Sequence, residues 1–199
     1  MFVDEFNLEE MLYFVLVKSR SEPDTDPLVI WLQGGPGCSS MLGLYTENGP
    51  YWYKYREGHA EQPFTLEKNE HSWNNVANVM YVDQPLGTGF SFINEFGSLR
   101  WSEDAIAEDF YNFLHNFMVK YPEFQGREIY LTGESYAGHY IPNIARRLQL
   151  KADPWINLAG VAIGNGWVDP IYQYPEYPHF ASTHSLISFG HSLVLRLGY

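Results

Sequence analysis

Short apolar runs that end at glycine or proline constrain this chain more than any other feature. Leu28-Val29-Ile30-Trp31-Leu32 halts at Gln33-Gly34-Gly35-Pro36-Gly37, and Asn78 to Asp83 halts at Gln84-Pro85-Leu86-Gly87-Thr88-Gly89. Glu128 to Thr132 runs into Gly133, and Leu158-Ala159-Gly160-Val161-Ala162-Ile163-Gly164 is a further core run. A short run that is apolar throughout suits a strand covered on both faces. From Ser102 to Tyr121 the pattern changes: Ile106, Phe110, Phe113, Leu114, Phe117, Met118 and Tyr121 recur at helical spacing, with Glu103 and Asp104 in the first turn. Pro122 and Gly126 close that helix, and Tyr136 to Leu150 forms another. Strand, helix, strand, helix, strand implies an α/β fold with a parallel sheet and right-handed crossovers.

Elsewhere the signals are weaker. Phe2 to Phe6 and Met11 to Lys18, joined by Asn7-Leu8-Glu9-Glu10, predict a β-hairpin, and Tyr51 to Asn75 reads as an aperiodic surface excursion. Near the end, Leu186, Phe189, Leu193, Val194 and Leu197 fall on one side of a helix whose apolar face has nothing later to pack on. There is no repeat, linker or low-complexity stretch, so residues 1–199 are expected to form a single partial domain that stops in mid-course.

Composition narrows the partners. With 12 Lys+Arg against 24 Asp+Glu, the formal net charge of -12 repels phosphate backbones, so nucleic acid is not an expected partner. No apolar run approaches the roughly 20 residues that cross a bilayer, and the first residues lack the basic start and apolar stretch of a signal peptide. Cys38 is the lone cysteine, so it has no intramolecular partner in the sequence.

Chemistry concentrates at two loops. Gly133-Glu134-Ser135-Tyr136-Ala137-Gly138 lies between a buried strand and a helix, where a sharp turn lifts a serine hydroxyl clear of its neighbours as a nucleophile elbow. Ala137 replaces the second glycine of Gly-x-Ser-x-Gly and still removes bulk where helix meets strand. The bland reading is an ordinary loop whose serine caps the next helix. Gly34-Gly35-Pro36-Gly37 follows the neighbouring strand, and its backbone N–H groups suit a developing oxyanion, with the Tyr136 N–H as partner donor at a helix start. A phosphate cradle fits poorly, because no Lys-Ser/Thr pair follows and Pro36 removes a donor.

Taken together and in order, Trp31 to Ser40, Glu47-Asn48-Gly49-Pro50, Ser72-Trp73-Asn74, Val82 to Ser91, Gly133 to Tyr140 and Gly164-Asn165-Gly166 resemble the serine carboxypeptidases. The resemblance implies an α/β-hydrolase fold, a mostly parallel sheet flanked by helices and truncated here before its last strands. It implies Ser135 as nucleophile, the Gly35 and Tyr136 backbone as oxyanion hole, and peptide or protein C-termini as substrates. It also implies that Gln33, the Gly34 backbone, Glu47 and Glu134 hold the substrate carboxylate, with no cofactor and no metal. Carboxyl groups crowded around a third carboxylate share protons, so binding weakens as pH rises. A vacuolar, lysosomal or secreted location follows from the same resemblance, as does a disulfide partner for Cys38 in a later segment. Without the flanking motifs, Glu47 and Glu134 read as solvated surface acids.

Two departures stand out. The family usually carries Asn where this chain has Gln33, whose extra methylene must refold to reach the same place. The triad Asp and His should follow the serine in that order, and the candidates Asp153, Asp169, His139, His179, His184 and His191 are not framed by the family's motifs. His139 reads as structural, and the 199-residue chain alone is expected to show little or no peptidase activity. A non-catalytic binding protein on the same scaffold, or an acyltransferase, remain the alternative readings.

Overall fold

The computed structural model describes residues 10–58, 61, 63–93 and 99–196. The chain divides into two compact units, residues 1–166 and 167–199. In the first, β1 (Tyr13–Val17), β2 (Leu28–Leu32), β5 (Asn78–Asp83), β6 (Glu128–Glu134) and β7 (Asn157–Gly164) form one five-stranded sheet in the order β1-β5-β2-β6-β7. The strands β5, β2, β6 and β7 run parallel, as the alternation of strands and helices requires. β1 pairs antiparallel with β5, Tyr13 opposite Asp83, so the sheet is mixed rather than wholly parallel. The first arm of the expected hairpin, Phe2 to Phe6, lies outside the described residues, and the second arm pairs with β5 along one edge.

The sheet's two faces follow from the period of two along each strand. Ile30, Leu32, Met80, Val82, Ile129 and Leu131 face one large core, where they meet the helices α1 (Glu103–Lys120) and α2 (Ala137–Lys151) through Phe110, Phe113, Phe117, Tyr140, Ile141 and Ile144. Trp31, Val79 and Tyr81 take the opposite face and pack with Leu44 and Ala77. Every residue of β5 is buried, which is why its sequence reads as an unbroken run. α1 starts where its sequence says it should: the Ser102 hydroxyl accepts the Ala105 N–H at 3.3 Å, and Glu103 and Asp104 sit on the positive end of the dipole. Ser102→Ala is expected to cost about 1 kcal/mol, read as a lower urea midpoint at unchanged slope.

Residues 51–75 depart from the expectation of an irregular excursion. β3 (Tyr51–Tyr55) and β4 (Phe64–Lys68) form an antiparallel two-stranded sheet, followed by a 3-10 turn at Trp73–Asn75. Tyr51, Tyr53 and Tyr55 alternate onto one face and meet Phe64 and Leu66 across the ladder, with Tyr53 stacked on Phe64 at 4.6 Å.

The second unit holds the short α3 (Pro170–Gln173), α4 (Glu176–Thr183) and α5 (Phe189–Arg196). α5 is tied to α4 by the Ser192 hydroxyl on the Pro178 carbonyl at 2.8 Å and by Arg196 on Glu176 at 3.1 Å. Leu186, Phe189, Leu193 and Val194 are exposed, as expected of an apolar stripe without a partner, and Leu197 lies outside the described residues.

Candidate active site

The carboxyl ends of β2 and β6 lie side by side, with Leu32 registered against Gly133. β6 runs two residues further than its apolar run, because Gly133 and Glu134 continue the ladder with Ile163 and Gly164. The chain then turns through Ser135, whose φ of 60° lies in the left-handed region that a side chain avoids. Holding serine there costs about 1–3 kcal/mol, which the surroundings must offset. The Ser135 N–H donates to the Gly164 carbonyl at 3.0 Å, and the Ser135 carbonyl accepts the Gly138 N–H at 3.0 Å as α2 begins. The result is an exposed serine between a buried strand and a buried helix start. Its hydroxyl has no hydrogen-bond partner among the described residues.

Glycine makes the approach possible. A Cβ on Gly34 would lie 2.5 Å from the Tyr136 nitrogen and 2.9 Å from the Ser135 Cβ, so only glycine lets β2's loop touch the turn. Gly35 adopts φ 111°, and its loop is fixed at its far side by the Gly37 N–H on the Tyr140 hydroxyl at 3.2 Å and the Cys38 N–H on the Gly34 carbonyl at 3.1 Å. Pro36 has no N–H, and Gly34 is the residue of this loop that meets the Ser135 turn.

Gln33, only 4% exposed, reaches Glu134 with its Nε2 at 2.7 Å from Oε1. The Gln33 amide thus reaches the Glu134 carboxylate directly. Its Oε1 accepts the Trp31 indole N–H at 2.9 Å, and its backbone N–H donates to Ser40 Oγ at 3.1 Å. Glu47, at the end of a π-helical turn, lies close enough to Gln33 and Glu134 for both to act on its carboxyl. Burial, then the charge of Glu134, raise the Glu47 carboxyl above its ordinary value, against the opposing hydrogen bond from Gln33. Its Oε2 is buried without a hydrogen-bond partner among the described residues. Burial and the charge of Glu47 also push the Tyr81 phenol up.

Sequence reasoning missed the supports. Trp31 in β2 and Gln33 just past its end are two apart in the chain, the spacing that could have paired them. Asp83, fully buried at the end of β5, accepts Ser39 Oγ at 2.6 Å, Ser40 N–H at 2.8 Å and Phe90 N–H at 3.0 Å. These bonds fix the segment that follows the glycine loop.

The candidate acids and bases fall in both units. Asp153 Oδ2 pairs with His115 Nδ1 at 2.6 Å, but Asp153 precedes β7 and so lies at the opposite end of the sheet from Ser135. A seven-residue strand such as β6 spans about 20 Å. His139 stacks on Tyr136 with ring centroids 4.8 Å apart. Asp169, His179, His184 and His191 belong to the second unit, where His184 Nδ1 contacts the Phe180 carbonyl at 2.9 Å and His191 Nδ1 the Ser188 hydroxyl at 2.9 Å. Cys38 is an exposed free thiol. Among the described residues, no cluster fit to hold a metal and no helix long and apolar enough to cross a membrane occurs.

Comparison with known proteins places this geometry. The profile of the family described as Serine carboxypeptidase matches residues 3–194. The chain is 43% identical over 188 residues to Serine carboxypeptidase S10 family member 1 of Dictyostelium discoideum, covering 92% of this chain and 44% of that protein. It is 43% identical over 189 residues to the pheromone-processing carboxypeptidase kex1 of Aspergillus fumigatus, covering 92% of this chain and 29% of that protein. The crystal structure of a prohormone-processing carboxypeptidase from Saccharomyces cerevisiae superposes with a TM-score of 0.81 at 33% identity, over 95% of this chain and 42% of that one. The chain belongs to the serine carboxypeptidase family, and its sheet and helices are those of the α/β-hydrolase fold. It spans less than half the length of the Dictyostelium relative.

Proposed function

We propose that the protein is a serine-type carboxypeptidase that cleaves the last peptide bond of a chain. The observation that carries this reading is the left-handed Ser135 turn pressed against Gly34, with the Gln33–Glu134–Glu47 group immediately beside it. Ser135 Oγ adds to the carbonyl carbon as its proton passes to the base, and the Gly35 and Tyr136 N–H groups hold the oxyanion. The C–N bond then breaks, the leaving amine takes a proton from the base, and water hydrolyses the acyl ester on Ser135. The base and its orienting acid come from outside the groups brought together around Ser135, which is why the 199-residue chain alone is expected to turn over poorly.

The Gln33 amide, the Gly34 N–H, Glu47 and Glu134 bind the substrate's terminal carboxylate. A carboxylate accepts a hydrogen bond from Glu47 only while Glu47 is protonated, and its raised carboxyl keeps that proton further up the pH scale than an ordinary glutamate does. KM is therefore expected to be low in acid and to rise as pH passes through the raised value. In Glu47→Gln, which keeps a donor at every pH, the slope should flatten. The same raised value costs folding stability: the contribution is present below the unfolded glutamate's titration and lost as pH rises through the folded one, so Glu47→Gln should gain stability near neutrality. The test is release of C-terminal residues by the complete gene product from a peptide acid and its amide between pH 4 and 7.5. Preference for the acid that fades with rising pH supports the reading, and equal cleavage of acid and amide at every pH contradicts it. An acidic vacuolar, lysosomal or secretory setting suits such a profile.

A further inference from the structure

Asn165 is used by nothing described so far. It follows Gly164, the β7 residue registered against Glu134, and so stands one strand away from Ser135, about 5 Å in a parallel sheet. It is exposed, adopts φ 45°, and its carboxamide makes no hydrogen bond among the described residues. Asparagine tolerates the left-handed region better than most side chains, but glycine enters it without cost. Glycine stands on both sides of it, so the turn itself does not call for a carboxamide.

The order of strands gives that carboxamide a task. β6, which delivers Ser135, lies between β2 on one side and β7 on the other. Gln33, at the end of β2, and Glu134 form the group proposed to hold the terminal carboxylate. One residue separates a substrate's terminal carboxylate from its scissile carbonyl, about 3.8 Å between α-carbons, so the leaving residue fills the β2 side. The acyl part of the substrate then departs over the end of β7. A carboxamide offers a donor and an acceptor together, the complement of a peptide group.

We propose that the Asn165 carboxamide binds the peptide group on the acyl side of the scissile bond, making the site selective for chains over simple N-acyl amino acids. This rests on the carboxypeptidase reading above. The experiment compares the complete gene product with its Asn165→Gly variant on two substrates that share a scissile amide and a free carboxylate. One is an N-acyl dipeptide, which carries an acyl-side amide, and the other an N-(3-phenylpropanoyl) amino acid, which carries none. Asn165→Gly should lower kcat/KM on the first by about fivefold to tenfold, the effect of one or two lost hydrogen bonds, and leave the second and the thermal midpoint unchanged. An equal fall on both substrates, no fall on either, or a lowered thermal midpoint overturns the proposal. Ser135→Ala, run alongside, separates the two claims: activity that survives it overturns the carboxypeptidase reading itself, whereas an inert Ser135→Ala with an unaffected Asn165→Gly overturns only the role of Asn165.

Discussion

Ser135→Ala is expected to abolish release of C-terminal residues by the complete gene product, with kcat falling about 10⁶-fold and the urea midpoint falling only slightly. The size follows from the division of labour in such sites. Without the nucleophile there is no acyl ester, and what remains is the modest acceleration from oxyanion binding and substrate positioning. The loss of stability should be small because Ser135 is exposed and its hydroxyl bonds to nothing among the described residues. Alanine at φ 60° is somewhat more strained than serine there, so Ser135→Gly is the cleaner partner variant: equally inert, and more stable than Ser135→Ala. Steady-state kinetics on an N-acyl dipeptide, with urea titrations of all three proteins, check both halves.

Gly34→Ala is expected to lower kcat/KM about 100-fold although it leaves every proposed catalytic group in the sequence. Its Cβ would lie 2.5 Å from the Tyr136 nitrogen, 2.7 Å from the Glu134 carbonyl oxygen and 2.9 Å from the Ser135 Cβ. Two of those three neighbours are backbone, which cannot swing aside as a long side chain would. Relief therefore requires the Gly loop and the Ser135 turn to move apart, and displacements near 1 Å cost about that factor when reacting groups must align. The overpacking should also cost about 2 kcal/mol of stability. Gly190→Ala, in α5 with only the Ser188 hydroxyl at 3.9 Å, is the control expected to leave both quantities unchanged or to raise stability slightly. A Gly34→Ala enzyme with ordinary kinetics would mean that loop and turn do not have to touch for the reaction.

The same contrast explains what the sequence made legible. β2, β5 and α1 were readable because burial on both faces writes an unbroken apolar run and burial on one face of a helix writes a three-to-four repeat. β3 and β4 were not, because Trp52, Lys54, Glu67 and Lys68 interrupt the aromatic positions, and the Tyr53–Phe64 stack that holds the hairpin exists only once the strands pair. β1 was readable as a strand but not in its partner, since the pairing with β5 joins residues far apart in the chain.

Within the site, the strand–turn–helix setting of Ser135 and the close approach of Gly34 follow from local residue types, because only small residues permit them. The Gln33–Glu134 hydrogen bond and the Ser39 and Ser40 donors gathered by Asp83 depend on segments brought together by the sheet, so no local pattern announces them. The Asp153–His115 pair shows the reverse: residue types suited to catalysis meet at the wrong end of the sheet, where they join the end of α2 to α1.

The most direct test is covalent. The complete gene product should be treated with an organophosphonate at acidic pH and the adduct located by peptide mapping. A single adduct on Ser135, formed in step with loss of carboxypeptidase activity, is the expected result. Loss of activity with the adduct on another residue, or full activity with Ser135 modified, would contradict the assignment of Ser135 as the nucleophile.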